Sequence, residues 1–231
     1  MERLNKFSRL FNKIYHNLFI EFDKKKKIIF NFTNEKRWDL IEQIIKIKKI
    51  ESYLEIGCDN NHLFEKINVP YKVGIDPREG GNVKKTSDEF FKDNKVFFDL
   101  IFIDGLHEYE QVNRDIENSL NFINNDGFIL LHDCLPSTLR SQAVPRYSYY
   151  WNGDVWKSIV KFRHYENLNI KTIEIDEGIS VIKKSKNEDK LNLNIKNFKK
   201  LKFKDFYNNY KNYMNLINYN NFIKAIKDHK Y

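Results

Sequence analysis

Two runs of the chain, "FDLIFIDG" (residues 98–105) and "GFILLHD" (residues 127–133), are apolar almost without a break and then stop at an acid. A half-buried strand would alternate with polar residues, so these runs need a sheet covered on both faces. That requirement constrains the fold more than any other feature of the sequence. Strand signals fall at 52–57, 71–76, 83–86, 98–104, 128–133, 170–175 and 180–183, with helical patterns between most of them. "EQVNRDIENSLNFI", for example, places Val112, Ile116, Leu120 and Ile123 at three- and four-residue intervals. "NEKRWDLIEQIIKIKKI" places Trp38, Ile41 and Ile45 on one helical face ahead of the first strand. The last two strands are joined by "DEG", too short for a crossover helix, so they form an antiparallel hairpin. The expected fold is α/β: a doubly wound, Rossmann-like, mainly parallel sheet with an antiparallel edge strand and helices on both faces.

In such a sheet, ligands bind beyond the carboxyl ends of the strands. Those ends carry Gly57, Asp76, Asp104 and Asp133, with Glu55 just inside the first. One acid at a strand end is ordinarily a helix cap; several on one rim suggest a site. Gly57 allows a sharp turn and a close approach of backbone to ligand. Asn61 stands where a glycine-rich phosphate loop would have its second glycine, and asparagine enters left-handed conformations more readily than most residues. With Asp59 in the same loop, a cofactor with a cationic part suits the site better than a pyrophosphate. Asp76, about 20 residues beyond the loop, is placed to accept both hydroxyls of a ribose, or else to cap the turn that begins at Pro77. Ser87 and Asp88, in "TSDEFF", either cap the next helix or reach an adenine amino group.

Charge is distributed unevenly along the 231 residues. Residues 1–48 hold 12 basic and 6 acidic groups (+6), residues 49–182 hold 15 and 22 (−7), and residues 183–231 hold 13 and 4 (+9). An acidic centre opposes a nucleic-acid track through the site, and no DNA partner is expected. Three segments follow: an N-terminal helical segment (1–48), a core (49–184), and a basic linker with a C-terminal helix (185–231). In the last, Phe203, Phe206, Tyr207, Tyr210, Met214 and Ile217 make a helical apolar stripe. The stretch "KKSKNEDKLNLNIKNFKK" reads as a mobile linker. Cys58 and Cys134 form neither a disulfide framework nor a zinc pattern. No apolar run is long enough to span a bilayer, and the N-terminus lacks a signal peptide's apolar stretch. A cytoplasmic location is expected. The spaced apolar residues of "MERLNKFSRLFNKIYHNLF" suggest an amphipathic helix packed on the domain or a partner, with a peripheral membrane contact as the alternative.

"YLEIGC", "VGIDP", "TSDEFF", "FDLIFIDGLHEYEQVNRDIENSL", "GFILLHDCLP" and "WNGDVWKSIVKFR" follow one another in the order and spacing found in class I S-adenosylmethionine-dependent methyltransferases. Over residues 38–183 the chain resembles the bacterial small-molecule O-methyltransferase group with "FIDGLH" and "LLHD" segments. The resemblance implies seven strands with the last antiparallel, and donor contacts from Glu55, Gly57, Asp76, Ser87 and Asp88; Asp104, at the same rim, is a further cofactor-binding candidate. Asn61 departs from the family's usual glycine.

Methyl transfer from a sulfonium needs an aligned acceptor and, for a hydroxyl, a base. Asp104, His107, His132 and Asp133 are the catalytic candidates. Asp104 and Asp133 also occupy positions that resemble the metal-binding acids of related O-methyltransferases and suit Mg²⁺, although Cys134 replaces an oxygen ligand. Trp151, in the aromatic loop of "YSYYWNGDVWKSIVKF", with Arg146 and Asp154, is expected on the acceptor side. Arg140 and Lys157 are further candidates for holding a phosphate or carboxylate. The helices around Trp38 and Phe206 are candidate lids. The expected activity is O-methylation of a small molecule such as a sugar or sugar-linked precursor of a surface glycan or natural product, by a chain that is compatible with homo-oligomers. The rivals are an RNA methyltransferase using the basic ends, a dinucleotide-dependent oxidoreductase, and a catalytically silent binding fold.

Overall fold

Successive side chains of a strand point to opposite faces, and the continuous apolar runs therefore feed two cores at once. The computed structural model describes residues 5–228 and residue 231. Its strands are β1 (Ser52–Ile56), β2 (Tyr71–Ile75), β3 (Phe98–Ile103), β4 (Ile123–Leu131), β5 (Leu168–Ile173), β6 (Ile179–Lys184) and β7 (Leu216–Ile217). They form one seven-stranded sheet in the order β2-β1-β3-β4-β6-β5-β7. β1 to β4 pair in parallel, β6 runs antiparallel to both β4 and β5, and β7 pairs in parallel with β5. The helices are α1 (Lys6–Tyr15), α2 (Arg37–Lys48), α3 (Ser87–Asp93), α4 (Tyr109–Phe122), α5 (Leu139–Gln142), α6 (Val155–Phe162), α7 (Phe203–Met214) and α8 (Tyr219–Lys227).

On one face Leu54, Ile56, Ile101, Ile103, Ile129 and Leu131 pack with Val112 and Ile116 of α4, Trp156 and Ile159 of α6, and Phe206 of α7. On the other, Tyr53, Leu100, Phe102, Leu130 and Val181 pack with Leu40, Ile41 and Ile44 of α2 and with Phe222 and Ile226 of α8. Each of these large side chains contributes about 1.5–3 kcal/mol on burial. The expected mainly parallel sheet with helices on both faces is present, and the β5–β6 hairpin lies toward the β7 end.

Several expectations about individual elements need correction. The strand expected at 83–86 is reduced to one bridge between Ile75 and Val83. The chain turns through Gly80 and Gly81, both at positive φ, and then carries Lys84 away from the sheet into solvent. β4 starts at Ile123, directly after α4, and its pairing with β3 shifts register between Phe98 and Leu100. The polar stretch after β6 is not loose. Leu191 is buried, and Asn187 donates to the carbonyls of Arg163 and Tyr165 at 3.1 and 3.0 Å. Phe206 is no lid: it is fully buried, with its ring 4.7 Å from that of Trp156.

Candidate active site

Register aligns the strand ends. Ile56 lies opposite Ile103, and Ile103 opposite Leu131. Backbone bonds then extend the sheet by one residue: Gly57 N to Ile75 O (2.9 Å), Asp104 N to Ile56 O (2.8 Å) and His132 N to Ile103 O (3.1 Å). Gly57, Asp104 and His132 thus stand side by side on one rim. Gly57 has φ +86°, and a Cβ there would come within 2.3 Å of the Asp104 carbonyl oxygen. Only glycine satisfies both conditions. Asn61 adopts φ +66°, the left-handed conformation expected of it, and its side-chain oxygen accepts from Gly81 N at 2.5 Å.

Below the rim lies a compact cluster of charge. Arg37, the first residue of α2, donates from Nη1 to Asp104 Oδ2 at 2.5 Å and from Nε to Asp176 Oδ2 at 2.8 Å. His107 bridges two acids, with Nε2 3.1 Å from Asp104 Oδ1 and Nδ1 3.1 Å from Asp133 Oδ2. His132 Nδ1 is 3.3 Å from Asp104 Oδ1 and 3.4 Å from Asp133 Oδ2, while Nε2 is 3.5 Å from Asp176 Oδ2. These are ion-pair distances, but neither nitrogen of His132 makes a well-directed hydrogen bond. Burial opposes charge on His107, yet Asp133 and Asp104 outweigh it and raise the pKa above the usual histidine value. His132 is raised further, against burial, by Asp104 and Asp133. Burial would raise the Asp104 pKa, but His132, His107 and Arg37 hold it well below the carboxylate range. Asp133 sits at φ +60°, and its Oδ1 accepts from Asn152 Nδ2 at 2.8 Å. Asp104, His107 and Asp133 each offer a ligand atom within 4.8 Å of the others, a set that could hold a divalent ion.

A cleft of about 960 Å³ opens over this cluster, within the range of small-molecule sites. At one end lie Glu55, Gly57, Asp76, Ser87 and Asp88, all expected as cofactor residues. Burial pushes the Glu55 pKa up to about 8, despite a 2.6 Å hydrogen bond from Tyr53. Asp76 already accepts from the backbone of Asp59 (3.0 Å), Arg78 (2.8 Å) and Glu79 (3.0 Å), so it organises both loops that flank it. The α3 cap is Thr86, paired reciprocally with Glu89, which frees Ser87 and Asp88 from that role. Ser87 Oγ donates to Asp115 at 2.6 Å, and Asp88 pairs with Arg114 at 3.2 Å. Asp115, buried and pushed up to about 6 by burial, lines the same end.

At the other end Trp151 stacks on His107, with ring centroids 5.5 Å apart, and Arg146 lies 5.3 Å over the Trp151 ring. Tyr149 and Pro145 complete that wall. Asp154 is placed elsewhere than expected. Its carboxylate accepts from Tyr109 N at the start of α4 (2.6 Å) and pairs with Lys157 (3.1 Å), and it does not line the cleft. Lys157 is buried in that pair, and Arg140 pairs with Asp23 on the surface. Trp38, by contrast, does line the cleft. Sequence reasoning missed Arg37, Asp115, Asn152 and Asp176. None of the four carried a local signal, since each acts through a partner distant in sequence.

Residues 72–134 match a family model described as a methyltransferase domain. No curated protein matches the sequence. Among solved structures, a putative caffeoyl-CoA O-methyltransferase from Staphylococcus aureus superposes with a TM-score of 0.50 at 15% identity, covering 68% of this chain and 86% of that one. A putative O-methyltransferase from Klebsiella pneumoniae gives a TM-score of 0.50 at 10% identity, covering 80% and 92%. The fold is shared with these proteins. The matched segment holds Asp76, Asp104, His107 and Asp133 and is similar to a methyltransferase domain.

Proposed function

We propose that the chain transfers the methyl group of S-adenosylmethionine to a hydroxyl oxygen of a small molecule, a sugar or a sugar-linked precursor of a surface glycan or natural product. The observation that carries this reading is the placement of His107. It is held between two carboxylates, faced by Trp151, and stands on the rim that also presents Glu55 and Asp76.

The residues at the Glu55 end fit the donor. Asp76 retains acceptor capacity for ribose hydroxyls on oxygens whose positions the backbone bonds fix. Asp88 and the Ser87–Asp115 pair offer acceptors for an adenine amino group, and Glu55 offers a buried carboxyl for an ammonium. Bound there, the donor supplies a methyl group on a cationic sulfur. The chain's own task is to orient the acceptor and take its proton. Trp151 and Tyr149 present flat apolar faces to a sugar ring. Once it releases one of its two carboxylates, a nitrogen of neutral His107 accepts the hydroxyl proton, and the resulting imidazolium is stabilised by pairing again with Asp104 and Asp133. Arg37 holds Asp104 and Asp176 in place and offsets their charge.

A second reading rests on the grouping of Asp104, His107 and Asp133. A divalent ion held by them would polarise an acceptor oxygen. Two carboxylates suit Mg²⁺, but His107 would have to release one of them to become a ligand.

The test is a calorimetric titration with S-adenosylhomocysteine, followed by turnover on a panel of hydroxylated sugars with and without EDTA. Binding lost in Asp76→Ala, with turnover that survives EDTA but not His107→Ala, supports the first reading. Absence of binding by the wild-type chain overturns it.

A further inference from the structure

α1 is seated on the domain by its polar side. Arg9 Nε donates to the Tyr147 carbonyl (3.4 Å), Asn12 Nδ2 donates to the Arg146 carbonyl (2.8 Å), and buried His16 meets the Tyr147 ring edge-on. The apolar side faces out. Phe7, Leu10, Phe11, Ile14 and Leu18 recur every three or four residues and are 86, 58, 69, 50 and 71% exposed. No residue of α1 is buried. Phe19 and Phe22, in and just after the π turn His16–Ile20, extend the surface at 73 and 68% exposure. A helix resting on a domain ordinarily buries such a stripe, and a contiguous exposed one marks an interaction site.

Charge identifies the occupant. Lys6 and Lys13 are exposed beside the stripe, and Lys24, Lys25, Lys26 and Lys27 form an exposed loop just beyond it. Next to them a cavity of about 420 Å³ is lined by Phe19, Phe22, Phe203, Lys24, Lys26 and Lys202. Residues 1–48 carry +6. Packing the stripe on a second copy would bring two such segments together against their mutual repulsion. An anionic lipid surface would bury the aromatics and neutralise the lysines together.

We infer that α1 and the lysine loop lie in the interfacial plane of an anionic lipid bilayer, as a peripheral anchor. No described helix is long and apolar enough to cross a membrane. Asn12, on the opposite side of α1, lines the catalytic cleft, so the anchor holds the mouth of that cleft beside the lipid headgroups.

The experiment is co-sedimentation of the full chain with vesicles of phosphatidylcholine alone and of equal parts phosphatidylcholine and phosphatidylglycerol. It is independent of methyl transfer, so it stands or falls separately from the proposed activity. The variants are Phe11→Glu with Leu18→Glu, both at exposed positions, and glutamine at residues 24–27. Thermal melting and light scattering run in parallel. Expected results are binding to the anionic vesicles that falls with added salt, weakens about tenfold or more in the glutamine variant, and vanishes in the glutamate variant while its melting temperature holds. Wild-type protein that ignores both vesicles, or glutamate-variant binding equal to wild type, overturns the inference. So does a wild-type dimer that binds no vesicle and becomes monomeric in the glutamate variant, which would give the stripe to a second copy.

Discussion

Donor binding should eject a proton from Glu55. Burial holds this carboxyl at about 8 in the ligand-free chain, so at pH 7 about nine molecules in ten are protonated there. An ammonium group placed against it returns the pKa toward 4.5, its ordinary value. Binding then releases about 0.9 proton at pH 7 and about half a proton at pH 8. The assay is calorimetric titration with S-adenosylhomocysteine in phosphate and in Tris, buffers with very different ionisation enthalpies, so that the difference in heat counts the protons. Glu55→Gln, which cannot ionise, should show none. Stability offers a second readout. A carboxyl whose pKa is raised by folding contributes in full below about 4.5, and that contribution is lost as pH rises toward 8. The slope is about 1.4 kcal/mol per pH unit, some 5 kcal/mol in all as an upper figure. Glu55→Gln removes the slope, so its melting temperature should gain on wild type between pH 5 and pH 9. Equal heats in both buffers at pH 7, or proton release that persists in Glu55→Gln, would refute the reasoning.

Other perturbations follow from the same geometry. Arg37→Ala leaves Asp104 and Asp176 without their guanidinium and should cost roughly 2–4 kcal/mol in urea denaturation, with kcat falling as well. Asp76→Ala should both weaken donor binding and lower stability by about 1–3 kcal/mol, because backbone donors lose their acceptor. Asp76→Asn, which keeps one acceptor oxygen, separates the two effects. If His107 is the base, turnover rises with pH as its imidazolium deprotonates, and the rising limb lies above 6.5 because Asp133 and Asp104 raise its pKa; a pH–rate profile locates it. Asn61→Ala should destabilise by about 1–2 kcal/mol in thermal or urea melts through left-handed strain and the lost bond to Gly81.

The parts of the fold that were legible in the sequence were those set by burial. A strand such as "FDLIFI" has to be apolar on both faces, and that leaves a mark without any knowledge of its neighbours. The acids at strand ends were equally visible, because the sheet's register brings each one to the same rim. What escaped was pairing across distance. Arg37 and Asp104 are 67 positions apart, and an arginine in the first turn of a helix looks solvated until its partner is known. Asp176 read as a hairpin turn residue, although its carboxylate reaches Arg37 and His132. β7 is two residues long, too short to leave a period. Asp154 misled because a helix start next to aromatic residues looks like a cleft wall, whereas its carboxylate ties α6 to the start of α4.

The two cysteines also bear on how the protein can be handled. Cys134 is fully enclosed, and burial pushes its thiol up to about 12; Cys58, 4% exposed, is raised still further by burial and by Glu55. Nucleophilic attack requires the thiolate, so neither sulfur should react with maleimide or iodoacetamide while the chain is folded. A single cysteine introduced at an exposed site on α1 could therefore be labelled with a fluorophore in an otherwise native background. Alkylation of the wild-type thiols would then serve as a clock for unfolding.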